Sequence, residues 1–233
     1  MLLAVQTGQS RCQMPRLGES QPCRSGEGFL TGDPFADGVK VVVGITGASG
    51  IVYGARLLEV LDCEKVVVVS ADGLRIAKDE LGMSASDLHA LADAHYGNDD
   101  LFSPLASGSV KFDALVIAPC SASTMSKIAC GIADNLITRV ASVALKERRR
   151  LVLVVRETPL SMIQLSNMER LSAAGAVVLP ACPAFYPKPR SVEDMVDFVV
   201  GRVLDVLGMD NKLYARWTGK KTTGSRGSRR TRR

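Results

Sequence analysis

Short, nearly uninterrupted apolar runs recur along this chain, separated by stretches with helical spacing. Lys40-Val-Val-Val-Gly-Ile-Thr46 is the first. It is too apolar to alternate, so it predicts a strand covered on both faces. Gly47-Ala-Ser-Gly50 breaks the run, and Ile51, Gly54, Ala55, Leu58 and Leu61 follow at helical spacing. Lys65-Val-Val-Val-Val-Ser70 predicts a second strand, followed by a helix to about Leu81, with a further helix over Ser84 to Ala94. Ala114-Leu-Val-Ile-Ala-Pro119, Leu151-Val-Leu-Val-Val155 and Ala176-Val-Val-Leu-Pro180 predict three more strands, with helices over Asp134 to Arg148 and Leu160 to Ala173 between them. The last helix spans Ser191 to Leu207. Ser191 suits its N-cap, Glu193 and Asp194 suit the positive first turn, and Gly208 ends it. This alternation predicts an α/β fold: a parallel sheet with helices on both faces.

In such sheets, ligands bind beyond the carboxyl ends of the strands, beside helix N-termini whose free amides favour anions. The polar clusters to read are therefore Thr46 to Gly50, Ser70, Pro119 to Thr124, Arg156-Glu157 and Pro183 to Arg190. Gly44-x-x-Gly47-x-x-Gly50 follows a strand and opens a helix, as a phosphate or flavin cradle does, but lacks the dinucleotide G-x-G-x-x-G spacing. Thr46-Gly-Ala-Ser49 also suits a short-chain dehydrogenase. That class needs a Lys four residues after a Tyr, and here Tyr53, Tyr96, Tyr186 and Tyr214 are followed at that distance by Leu57, Asp100, Arg190 and Thr218. Hydride transfer is rejected on that ground. Ala118-Pro-Cys-Ser-Ala-Ser-Thr-Met-Ser126 is a second cradle, whose hydroxyls exceed what capping one helix needs. Arg139, Lys146, Arg156, Arg190 and Arg202 are cations in apolar helices or at strand ends, where each must be solvated, paired or bound to an anion.

Composition narrows the reading. Of 233 residues, 46% are apolar and 23% charged, which suits one soluble domain with a full core, and no apolar run is long enough to span a membrane. The net charge of +5 misleads, because residues 218–233 hold seven basic side chains and no acid. Between residue 39 and that tail, 19 basic side chains face 20 acidic ones, so a protein-wide nucleic-acid surface is not expected. One Trp and two His leave no aromatic platform and no His-built metal site. Six cysteines at positions 12, 23, 63, 120, 130 and 182 match no zinc or redox spacing, and Cys63, Cys120, Cys130 and Cys182 are expected as reduced, buried thiols. Residues 1–39 form an irregular extension. Its first 18 residues carry Arg11 and Arg16 but no acid, which leaves a cytoplasmic or mitochondrial location open and a secreted one not expected. Residues 218–233 are expected to be a disordered basic tail.

Gly44-Ile-Thr-Gly-Ala-Ser-Gly50, Pro119-Cys-Ser, Asn135-Leu-Ile-Thr-Arg139, Ala144-Leu-Lys-Glu-Arg-Arg149, Arg156-Glu-Thr-Pro159, Phe185-Tyr186-x-x-Pro189-x-Ser191 and Ala215-Arg-Trp217 occur in order along the chain. Together they resemble the UbiX-type flavin prenyltransferases, formerly called phenylacrylic acid decarboxylases, over residues 40–217. The resemblance implies a three-layer, Rossmann-like flavoprotein. It implies joining of a dimethylallyl group from dimethylallyl monophosphate to N5 and C6 of reduced FMN without a metal, giving the prenylated flavin used by UbiD-type decarboxylases. Gly47, Ala48, Ser49, Ser70, Ser121, Ala122, Ser123, Thr124 and Arg139 then match FMN contacts. Arg156 matches the Arg beside flavin and prenyl phosphate, while Lys146, Tyr186 and Arg202 match prenyl-phosphate anchors, some from a neighbouring subunit. Glu80 matches an acid linked to Ser49, and Glu157 a second catalytic acid. The family also implies a homo-oligomer, a dodecamer. Related flavin-dependent cysteine decarboxylases form an alternative, but their loop carries an Asn missing from Pro119-Cys-Ser-Ala-Ser-Thr124, and Thr158-Pro-Leu-Ser-Met162 replaces their Pro-x-Met-Asn segment. A flavoprotein that only carries FMN is the non-enzymatic alternative.

Overall fold

The computed structural model describes residues 38–219, so most of the N-terminal extension and the basic tail lie outside the described residues. Six parallel strands form one sheet in the order β3-β2-β1-β4-β5-β6: β1 (Lys40–Ile45), β2 (Glu64–Val69), β3 (Ala94–Gly97), β4 (Ala114–Cys120), β5 (Arg150–Val155) and β6 (Val177–Pro180). The helices are α1 (Ile51–Val60), α2 (Ala71–Leu81), α3 (Ala85–His89), α4 (Ala122–Ala129), α5 (Leu136–Lys146), α6 (Met162–Ala173) and α7 (Val192–Leu207).

Three layers follow from the side-chain period of the strands. Val41, Val43 and Ile45 face one way and pack with α1, α2 and α7, whereas Val42, Leu115, Ile117 and Leu153 face the other and pack with α4, α5 and α6. β4 is buried along its whole length, which explains its unbroken apolar run. α7 starts at Ser191, whose hydroxyl accepts from the Asp194 amide, and stops at Gly208 in the left-handed conformation, as expected.

Two elements differ from the sequence reading. The helix expected over Ser84 to Ala94 shrinks to α3, stopped soon after the Ser84–Asp87 capping box, and Ala94 instead opens β3. β3 is a four-residue edge strand whose side chains alternate between half-buried and exposed, so it lacks the apolar signature of the central strands. α4 was hidden in the Ser/Thr-rich cradle. Among the described residues no helix is long and apolar enough to cross a membrane. All four cysteines described are free, but only Cys120 is buried. Cys63 is half-buried, and Cys130 and Cys182 are exposed, because each of these two follows the end of its element.

Candidate active site

The strand order reverses between β1 and β4, and the loops leaving their carboxyl ends meet there. Thr46 stitches them together: its hydroxyl donates to the Pro119 carbonyl at 2.8 Å and accepts from the Ser121 amide at 2.8 Å. Thr46 is buried, and although the sequence places it in a polar cluster at a strand end, no site role was expected for it.

Gly50 precedes α1 in the left-handed conformation, with φ at 99°, and brings no side-chain cap of its own. A carboxylate from the end of α2 does that work. Glu80 accepts from the Gly50 amide at 2.9 Å and the Ile51 amide at 3.1 Å. Burial pushes the Glu80 carboxyl up, but hydrogen bonds from the Ser49 hydroxyl and from the Gly50 and Ile51 amides, with the Arg156 charge, outweigh it and hold the group below its ordinary value. The structure therefore brings Ser49 and Glu80 together from 31 residues apart in the sequence. Arg156 joins them from the end of β5, its Nε donating to the Ser49 carbonyl at 3.1 Å. Tyr53 is half-buried beside Arg156 and Cys182; burial and Cys182 raise its phenol, against the Arg156 charge. Nothing in the spacing flagged Tyr53. Glu157 is exposed, one residue beyond Arg156.

Two of the candidate hydroxyls cap helices. Ser70 accepts from the Gly73 amide at 3.0 Å and Ser121 from the Thr124 amide at 3.2 Å, while the Ser121 hydroxyl donates to that of Thr124 at 3.0 Å. Capping leaves the first-turn amides of Ala122 and Ser123 without an acceptor among the described residues, and the Ser123 side chain is exposed. A side chain at Gly47 would sit 2.6 Å from the Asp72 Cβ, so the turn stays thin where α2 begins. Free amides, hydroxyls and the Arg156 guanidinium over apolar strand ends form a donor set suited to an anionic phosphate and the polar edge of a ring.

The remaining cations lie elsewhere. Lys146 ends α5, and the turn after it enters the amino end of β5, so Lys146 stands at the opposite edge of the sheet, paired with Glu147. The basic run following it is tied to the chain itself. Arg149 lies over the Phe112 ring and donates to the Gly108 and Val110 carbonyls, and Arg150 donates to the Val206 carbonyl. Arg139 donates to the Ala106 carbonyl at 3.0 Å. Arg202, on α7, pairs with Asp205 at 3.0 Å. Tyr186 packs edge-on against Phe198 and Trp217. Among the described residues no hydrogen bond or ion pair joins Lys146, Arg139, Tyr186 or Arg202 to the Ser49–Glu80–Arg156 group.

Comparison with known proteins places these features. The Flavoprotein family profile matches residues 36–204. A flavin prenyltransferase of Methanocaldococcus jannaschii, UbiX, is 53% identical over 181 residues, covering 77% of this chain and 98% of its own. Among solved structures, a UbiX crystal structure in complex with FMN and dimethylallyl pyrophosphate aligns with a TM-score of 0.77 at 43% identity, covering 79% of this chain and all of that one. A dodecameric FMN-dependent UbiX-like decarboxylase from Escherichia coli O157:H7 aligns with a TM-score of 0.76 at 42% identity, covering 78% of this chain and all of that one.

Proposed function

The chain belongs to the UbiX-type flavin prenyltransferases of the flavoprotein family, and from that premise we propose how its residues divide the reaction. The protein is a transferase that uses FMN, and dimethylallyl monophosphate is the donor we assign to it. A bound, reduced flavin supplies the nucleophile, at N5 and C6. The product is the prenylated flavin that a UbiD-type decarboxylase consumes. The observation that carries this reading is the Ser49–Glu80–Arg156 constellation on the first turn of α1.

The phosphate of the flavin is assigned to the free amides of α4 with Ser123 and Thr124, and the ring edge to Gly47, Ala48, Ser49 and Ser70, with Arg139. The chain's task is to position both substrates and exclude water. Loss of phosphate from an allylic carbon leaves an allylic cation and a phosphate dianion. Lys146, Arg156, Arg202 and the Tyr186 hydroxyl offset the leaving charge with no metal in the assignment. Glu80, ionised and linked to Ser49, is assigned to accept the proton lost from flavin C6, and Glu157 to supply the proton that the phosphate takes.

Lys146 stands at the wrong edge of the sheet to reach Arg156 in its own chain. We therefore assign Lys146 to a site on a neighbouring copy, in a homo-oligomer of the dodecameric kind. Cytoplasm or mitochondrion remains the location assigned, on the acid-free composition around Arg11 and Arg16.

The test is anaerobic. Protein, reduced FMN and dimethylallyl monophosphate are incubated with a chelator and quenched, and the flavin is weighed by mass spectrometry. A flavin heavier by one C5H8 unit is expected. Bound FMN without the adduct, in folded protein, would return the cysteine-decarboxylase and flavin-carrier alternatives.

A further inference from the structure

The segment after α7 does not run off into solvent. It folds back along the helix, and one carboxylate holds it there. Asp205 has a side chain only 14% exposed, and both of its oxygens are fully used. Oδ1 accepts from Asn211 Nδ2 at 2.9 Å and Arg216 Nη2 at 2.8 Å; Oδ2 accepts from the Tyr214 hydroxyl at 2.5 Å and Arg202 Nη1 at 3.0 Å. Two donors on each oxygen exhaust the capacity of a carboxylate.

The seat beneath this clasp is shaped for it. A side chain at Gly201 would lie 2.6 Å from the Tyr214 ring and 3.0 Å from Asn211 Oδ1, so the segment can touch the helix only because residue 201 is glycine. The Gly201 carbonyl also accepts from Asn211 Nδ2 at 3.2 Å. Tyr214 meets Phe198 at 4.9 Å between ring centroids, Phe198 meets Tyr186 at 5.9 Å, and Tyr186 meets Trp217 at 5.6 Å. The clasp thus fixes a continuous aromatic row ending at Tyr186 and Trp217. It also orients two guanidiniums, Arg202 and Arg216, each about half exposed and sharing a single negative charge.

We propose that Asp205 is a positioning residue for the prenyl phosphate: it pins Asn211–Trp217 against α7 and thereby presents the Arg202 guanidinium, with Arg216 beside it, and the Tyr186–Trp217 pair as one anion-receiving unit. This rests on the assignment of Arg202 as a phosphate anchor. Asp205 itself touches no substrate. Without its charge, Arg202 keeps its own charge but loses its fixed orientation, so the donor binds less well while the flavin cradle on α1 and α4 is untouched.

The experiment uses the full chain and three variants: Asp205→Asn, Asp205→Glu and Tyr214→Phe. Trp217 is the only tryptophan, so its emission reports the position of the segment without turnover. For Asp205→Asn the expected result is a KM for dimethylallyl monophosphate raised about tenfold, an FMN affinity within about twofold of wild type, and altered Trp217 emission as its contact with Tyr186 is lost. Tyr214→Phe, which removes one of the four donors, should fall between that variant and wild type, and Asp205→Glu should restore part of the loss. A KM and an emission spectrum both unchanged in Asp205→Asn would overturn the inference. So would a loss of FMN affinity as large as the loss of donor affinity, because that marks a general structural fault. If wild type makes no prenylated flavin, the functional reading falls and the phosphate half of this inference with it. The emission of the variants then still decides whether Asp205 holds the segment.

Discussion

Gly54 lies on the face of α1 that packs against the sheet, and the fit there leaves no room for a methyl group. A Cβ at this position would sit 2.2 Å from the Ala118 carbonyl oxygen and 3.0 Å from the Ile45 side chain. The first obstacle is backbone in a central strand, so it cannot rotate away, and in Gly54→Ala the helix itself must retreat. Overpacking of this kind costs about 1–3 kcal/mol, while alanine in place of glycine returns up to about 1 kcal/mol of helix propensity. A net loss of about 1–2 kcal/mol corresponds to a fall in Tm of about 2–8 °C for a chain of this size. The same retreat carries the Gly50 and Ile51 amides away from Glu80 and the Ser49 carbonyl away from Arg156. FMN affinity should therefore fall along with stability. Thermal melts and a titration of FMN fluorescence check both consequences. A Gly54→Ala protein that melts within about 1 °C of wild type and binds FMN equally well would refute the reasoning, since a loss of even 1 kcal/mol lowers Tm by about 2–4 °C at this chain length.

Other outcomes follow from the same geometry. Glu80 is held below its ordinary value of 4.5, so the stability it contributes is present above that pH and is lost as pH falls through its lower folded value; acid-unfolding curves of Glu80→Gln should lack this part of the acid limb. Glu157→Gln should slow prenylation and leave FMN bound, and unchanged turnover would remove Glu157 from the proton path. Burial pushes the Cys120 thiol up to about 12, whereas Cys130 and Cys182 are exposed. Alkylation near neutral pH followed by peptide mapping should therefore label the latter two and spare Cys120 until the protein unfolds. Finally, Lys146→Ala and Arg156→Ala should each be inactive alone, yet an equimolar mixture reassembled from dissociated copies should recover about a quarter of wild-type activity, because random assembly leaves that share of shared sites intact. No recovery, from copies shown to mix, would place both residues in one chain's site.

Much of the architecture could be read from the sequence because burial on both faces writes an unambiguous pattern. Val41 to Ile45, Val66 to Val69 and Leu151 to Val155 carry no polar residue, and only a covered parallel strand tolerates that. Ala94-His-Tyr-Gly97 fails the same test because an edge strand has one open side and is half solvated. Polar interruptions at the strand ends likewise exposed the Gly47–Gly50 turn, Ser121–Thr124 and Arg156. What no spacing revealed were partners brought in from afar. Glu80 reaches the start of α1 from the end of another helix, and Asp205 clasps a segment that reads, in sequence, as the run-out of the domain. The remoteness of Lys146 was implicit in the alternation, because a helix joining parallel strands must end at their amino edge.

The three cations assigned to the phosphate share one electrostatic habit, which accounts for their separation. Lys146 is paired with Glu147, Arg202 shares Asp205 with Arg216, and Arg156 lies against the turn that Glu80 holds. Each positive charge thus has a carboxylate beside it in its own chain before any substrate arrives. Had one chain gathered all three at the carboxyl end of its sheet, their mutual repulsion would have acted on the folded monomer with no anion there to offset it. Spread over α5, β5 and α7, they come together, in the assignment proposed above, only where copies meet, and a phosphate dianion would then enter a cluster whose like charges the assembly holds in place. The carboxylates keep a role in that state. They fix the direction of each cation, so that the leaving phosphate meets oriented donors rather than flexible side chains that must be ordered during the reaction.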